Sequence, residues 1–190
     1  YEYGRGVAQD DKKAFEWYKE AAELGHDRAQ HKLGEMYEEG RGVAQDDKKA
    51  FEWFQKAAQH WWPNAQVQYK LGFMYEEGRG VAKDDKKAFE WYQKAADQGN
   101  YSAFEWLQKA AEQGNAKAVE WLQKAAEQGD EEAQGKLGEM YEYGRGVAQD
   151  DKKAFEWYKE AAELGHDRAQ HKLGEMYEEG RGVAQDDKKA

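Results

Sequence analysis

The chain repeats itself, and that fact limits its fold more than any other. Leu-Gly pairs stand at Leu33-Gly34, Leu71-Gly72, Leu137-Gly138 and Leu173-Gly174, and Gly-Arg-Gly-Val recurs from Gly4, Gly40, Gly78, Gly144 and Gly180. Asp-Asp-Lys-Lys-Ala follows each of these loops, and the basic spacing is 36 residues. A period of this length marks a stack of supersecondary units, each of which hides its apolar side only against its neighbours.

One unit, His26 to Trp61, reads as two helices. Ala29, Leu33, Met36 and Tyr37 lie on one helical face. Gly34 sits inside that helix at a cost of about 1 kcal/mol, and its repetition predicts a place where the following helix comes close. Gly40-Arg41-Gly42 ends the helix, because glycine accepts the left-handed backbone of a C-cap. Asp46 is a natural N-cap for the second helix. That helix carries Ala50, Phe51, Trp53, Phe54, Ala57 and Ala58, a wide apolar face able to touch its partner and the next unit.

Composition agrees. Charged residues make up 36% of the 190 residues, yet aromatics reach 14%, a pairing foreign to disordered chains and suited to thin units with a narrow buried seam. Isoleucine and threonine are absent and Pro63 is the single proline, so the chain reads as helical, without sheet.

The pattern Ala29…Leu33-Gly34…Tyr37…Gly40-Arg41-Gly42-Val43…Asp46…Lys49-Ala50…Trp53…Ala57-Ala58 resembles the Sel1-like repeat, a relative of the tetratricopeptide repeat. The resemblance covers nearly the whole chain. It implies an all-α fold, an α-solenoid wound as a right-handed superhelix of antiparallel helix pairs. It further implies an adaptor role in protein complexes, often outside the cytosol, and no shared catalytic residues. Extracytoplasmic location (secreted, cell-surface or periplasmic) follows only from this resemblance.

The expected organisation is one solenoid over residues 1–190: a partial unit 1–25, full units 26–61 and 62–99, two 15-residue units over 100–129, a full unit 130–165 and a partial unit 166–190. The short units open like a first helix and close like a second, as if 21 residues had been deleted from each. In tandem they form a tight hairpin and restore the chain direction. Near His60, two extra residues and the pair Trp61-Trp62 break the spacing.

Residues Tyr1–Ala50 are identical to Tyr141–Ala190, so a period of 140 residues lies above the shorter one. The chain starts and stops inside a repeat and lacks the polar end units that finish a solenoid. This reads as a window onto a long tandem array, as an engineered repeat scaffold, or as an open end that stacks on another copy. Head-to-tail contacts of that kind propagate into filaments unless they close. The expected function is therefore a non-enzymatic scaffold for other proteins or copies of itself, a homopolymer or long array in its most specific form. A peptide-binding adaptor subunit is the alternative. Candidate contact residues are Trp61, Trp62, Tyr69, Tyr1 and Tyr3, since exposed aromatics anchor interfaces.

Chemistry is thinly supplied. Cysteine is absent and Ser102 is the single serine, leaving no nucleophile with a prepared neighbourhood. His26 and His31, five residues apart and copied at His166 and His171, fit surface or inter-repeat positions better than a metal site. The Asp-Asp pairs belong at helix starts, the first as cap and the second at the positive dipole end. Arg5, Arg41, Arg79, Arg145 and Arg181 suit salt bridges to a neighbouring carboxylate. Asn100-Tyr101-Ser102 fits a glycosylation pattern, but Asn100 stands where a cap belongs. Catalytic, cofactor and metal residues are expected to be none. A net charge of −10 disfavours nucleic acid, and no apolar run is long enough for membrane insertion.

Overall fold

A computed structural model describes residues 8–59 and 64–182. Ten helices run through them: α1 Asp11–Glu23, α2 Asp27–Glu39, α3 Asp47–Ala57, α4 Ala65–Glu77, α5 Asp85–Ala96, α6 Tyr101–Glu112, α7 Ala116–Glu127, α8 Glu131–Tyr143, α9 Asp151–Leu164 and α10 Asp167–Glu179. No strand occurs among the described residues. The chain divides into two compact units, Tyr1–Phe104 and Glu105–Ala190, and the division falls inside α6.

In the first unit the hairpins are α2–α3 and α4–α5; in the second, α8–α9. Their loops follow the glycine code. Gly40, Gly78 and Gly144 end the first helices at φ of 70°, 69° and 68°. The chain then returns to Asp46, Asp84 and Asp150, whose carboxylates accept from main-chain N–H groups of the next turn. Asp46 N–H also donates to the Tyr37 carbonyl at 2.9 Å, closing the loop on the helix it left.

The core is a thin seam. Leu33 and Met36, Leu71 and Met74, and Leu137 and Met140 are fully enclosed on the first helices, and Ala50 and Phe54, Ala88 and Tyr92, and Ala154 and Tyr158 are buried on the second. The helical glycines make this approach possible. A Cβ on Gly34 would lie 2.6 Å from Phe54, one on Gly72 2.8 Å from Tyr92, and one on Gly138 2.5 Å from Tyr158. Successive hairpins meet through edge-on aromatic pairs: Phe15 with Tyr37, Phe51 with Tyr75, and Phe155 with Tyr177, their centroids 5.2–5.3 Å apart. The short units each form one helix, α6 and α7, joined by three residues, Gln113 to Asn115.

Candidate protein-interaction surface

The joint between successive hairpins is electrostatic as well as aromatic. Glu38, near the end of α2, is buried, and Lys70 of α4 donates to it at 2.8 Å. Arg79, from the loop after α4, lies 3.6 Å from Glu38 and donates to Asp47 at 2.8 Å. The bond to Asp47 holds the Arg79 guanidinium above its ordinary range. In the second unit Glu142 takes the place of Glu38. It accepts from Arg181 at 3.0 Å and from the Tyr158 hydroxyl at 2.8 Å, with Lys172 at 3.7 Å. Burial, and then the carboxylate, push the Tyr158 hydroxyl far up, so it stays protonated and donates. Tyr92 repeats the bond with Glu76 at 2.6 Å. At position 54 the tyrosine is a phenylalanine, and Glu38 faces cations alone.

Two kinds of contact escaped the sequence reading. His26 and His166 cap α2 and α10, their Nδ1 atoms accepting from Ala29 and Ala169 N–H groups at 3.3 and 3.1 Å. Gln30 and Gln134 are buried and donate to the carbonyls of Ala22 and Ala126 at the ends of the preceding helices, at 3.2 and 3.0 Å. Nothing in local propensity marks a histidine as a cap, and a glutamine beside an alanine reads as surface. The one available signal is their recurrence at a fixed offset from Leu-Gly.

The Asn100 side chain accepts from Ala103 N–H at 2.9 Å and so serves as the expected cap. Ser102 is exposed in the first turn of α6. Among the described residues no group of three His, Cys, Asp or Glu side chains is placed to hold a metal ion.

A groove of about 970 Å³ opens in the first unit, lined by Asp27, Arg28, His31 and Lys32 of α2, Asn64 and Val67 at the start of α4, and Asp97 beyond α5. Its walls carry both signs of charge. Tyr69, a candidate contact residue, is half-buried on α4 with its ring 5.5 Å from Tyr92. Trp61, Trp62, Tyr1 and Tyr3 lie outside the described residues.

His31 borders the same groove, with Nε2 3.4 Å from Glu35. Burial holds it below the ordinary histidine range, against the opposing pull of Glu35. The folded chain therefore resists a proton that the unfolded chain accepts. The stability this histidine preserves is complete above about pH 6.5 and declines as pH falls below that value. Urea unfolding followed from pH 7.5 to 5 should show a shallower loss in His31→Gln than in the parent chain. Equal slopes would mean that His31 is solvated.

A family model for the Sel1 repeat matches seven successive segments: residues 1–26, 27–60, 65–100, 101–115, 116–130, 131–166 and 167–190. The chain belongs to the Sel1 repeat family. The two 15-residue segments are matched as Sel1 repeats in their own right. Among solved structures, the chain resembles a protective antigen of uropathogenic Escherichia coli that displays an SLR fold, with 38% identity over 98% of this chain and a TM-score of 0.63. It spans 41% of that protein's length. It also resembles a Sel1 repeat protein from Oxalobacter formigenes, with 38% identity, 98% of this chain, 78% of that chain and a TM-score of 0.59. Both neighbours are bacterial. A search of the curated proteins returned no match. The likenesses show the fold class: all-α, a solenoid of antiparallel helix pairs. Sel1 repeat proteins are generally protein-interaction scaffolds. Among the described residues no helix is long and apolar enough to cross a membrane.

Proposed function

We propose that this Sel1 repeat chain is a non-enzymatic interaction scaffold whose characteristic partner is another copy of itself, stacked head to tail. The internal sequence repeat supports the self-association. Because residues 1–50 and 141–190 are identical, α1 brings to α10 of another copy the same side chains that α9 brings to α8. Such a joint is heterologous and propagates.

Sedimentation of the 190-residue chain at increasing concentration tests this. Mass should rise steadily. A 22.0 kDa species at every concentration overturns the stacking. The groove between α2 and α4 favours a second reading, a peptide-binding adaptor subunit of a larger complex, which a co-purifying partner would support. The proposed location is extracytoplasmic, in keeping with the description of the E. coli neighbour as a protective antigen.

A further inference from the structure

The helices that close each repeat carry a tryptophan, and in two of them a lysine three positions later lies over its ring. In α3, Lys56 Nζ lies 3.9 Å from the centroid of Trp53; in α5, Lys94 Nζ lies 4.4 Å from that of Trp91. These are cation–π contacts at helical i,i+3 spacing. In α9 the corresponding residue is Glu160, beside Trp157. The adjacent Lys159 does not substitute, since its ammonium lies 3.8 Å from Glu163.

Trp157 also borders a groove of about 390 Å³ within the second unit, lined by Glu127 of α7, Tyr141 of α8, and Lys153, Glu156 and Glu160 of α9. The cation of this groove, Lys153, is committed to the Tyr141 ring at 5.1 Å. What remains is a half-buried indole flanked by the carboxylates of Glu127, Glu156 and Glu160, all solvent-exposed. The same ring takes a lysine twice elsewhere in this chain.

We propose that this notch receives the lysine ammonium of a basic segment from a partner protein, which sits over Trp157 as Lys56 sits over Trp53 and is held by the surrounding carboxylates. Charge selects the kind of partner. The chain carries −10, so a second copy approaching sideways is repelled while a lysine-rich segment is drawn in. This rests on the reading of the chain as a protein-interaction scaffold, and does not require stacking.

The test uses the intact chain and a fluorescein-labelled tetralysine peptide, followed by anisotropy at low ionic strength, where exposed charges act over a longer range. Glu160→Lys supplies the missing internal ammonium and should weaken binding about tenfold while leaving the thermal midpoint no lower. Glu163→Lys makes the same change in charge one turn away and should weaken binding less than about threefold. Acetylated tetralysine should not bind. Equal losses in the two variants, undiminished binding by Glu160→Lys, or no binding by the parent chain would each overturn the notch. A chain that assembles in the ultracentrifuge yet ignores tetralysine overturns the notch and leaves the scaffold reading in place.

Discussion

Gly80→Ala should lower the stability of the first unit by about 4 kcal/mol, the largest loss expected from any single methyl group described here. Gly80 has φ of +69°, where an L side chain is strained, and its Cβ would penetrate the main-chain carbonyl of Asp47. That carbonyl is in the first turn of α3, so it cannot swing aside without opening the helix. The same close approach recurs where Gly42 meets Asp11 and where Gly182 meets Asp151. Gly78→Ala is the internal control. Its φ is also +69°, but the nearest atom, the Lys83 Cβ, would lie 3.4 Å from the new methyl. It should cost only the left-handed penalty, about 1–2 kcal/mol. Urea midpoints of the two variants decide the matter. Equal losses would mean that the joint is looser than described.

Glu142→Ala is the second large effect, about 3 kcal/mol. Glu142 is 4% exposed, and its removal strands the Tyr158 hydroxyl, which donates to it at 2.8 Å, together with Arg181 at 3.0 Å. Losing one member of a buried ionic group costs about 3–5 kcal/mol, and water reaching the half-buried arginine argues for the lower end. Glu142→Gln retains an acceptor for the hydroxyl and should cost about 1–2 kcal/mol. Glu38→Ala should fall below Glu142→Ala, because Phe54 leaves no hydroxyl to strand and Lys70 and Arg79 can turn toward water. Thermal unfolding of the three variants gives the order. A Glu38 loss equal to that of Glu142 would remove the tyrosine from the account.

The local chemistry of this chain was legible from its residues. Gly40 and Asp46 declare their roles because a C-cap needs a left-handed backbone and an N-cap needs a short acceptor, and neither requirement depends on distant residues. Gly34 was legible for a related reason: a costly glycine kept inside the first helices points to a close approach of the following helix, and the Phe54 ring makes that approach. The network around Glu142 was not legible. Glu38-Glu39 at a helix end looks like solvated charge, and only packing shows that Glu38 is buried while Glu39 stays exposed. Its partner Lys70 is 32 residues away, beyond the reach of any local pattern. Among the aromatic candidates, Tyr69 alone falls in the described residues, half-buried beside Tyr92. The distinction between Trp157 and Trp53 was written in the sequence as glutamate against lysine three residues on, but its meaning needed the lysine seen above the ring.

The end of α6 shows how this architecture tolerates a missing half. Glu112 receives Lys136 and lies 3.8 Å from Arg145, and Gly146 abuts the Ala111 carbonyl. A truncated segment thus offers the same socket as a complete one, with a carboxylate and a main-chain carbonyl at the right height. Gene segments of either size can be inserted, lost or exchanged without any redesign of the seam, provided that the next unit brings its lysine and arginine. The number of units in such a chain can therefore change while the chemistry of each connection stays the same.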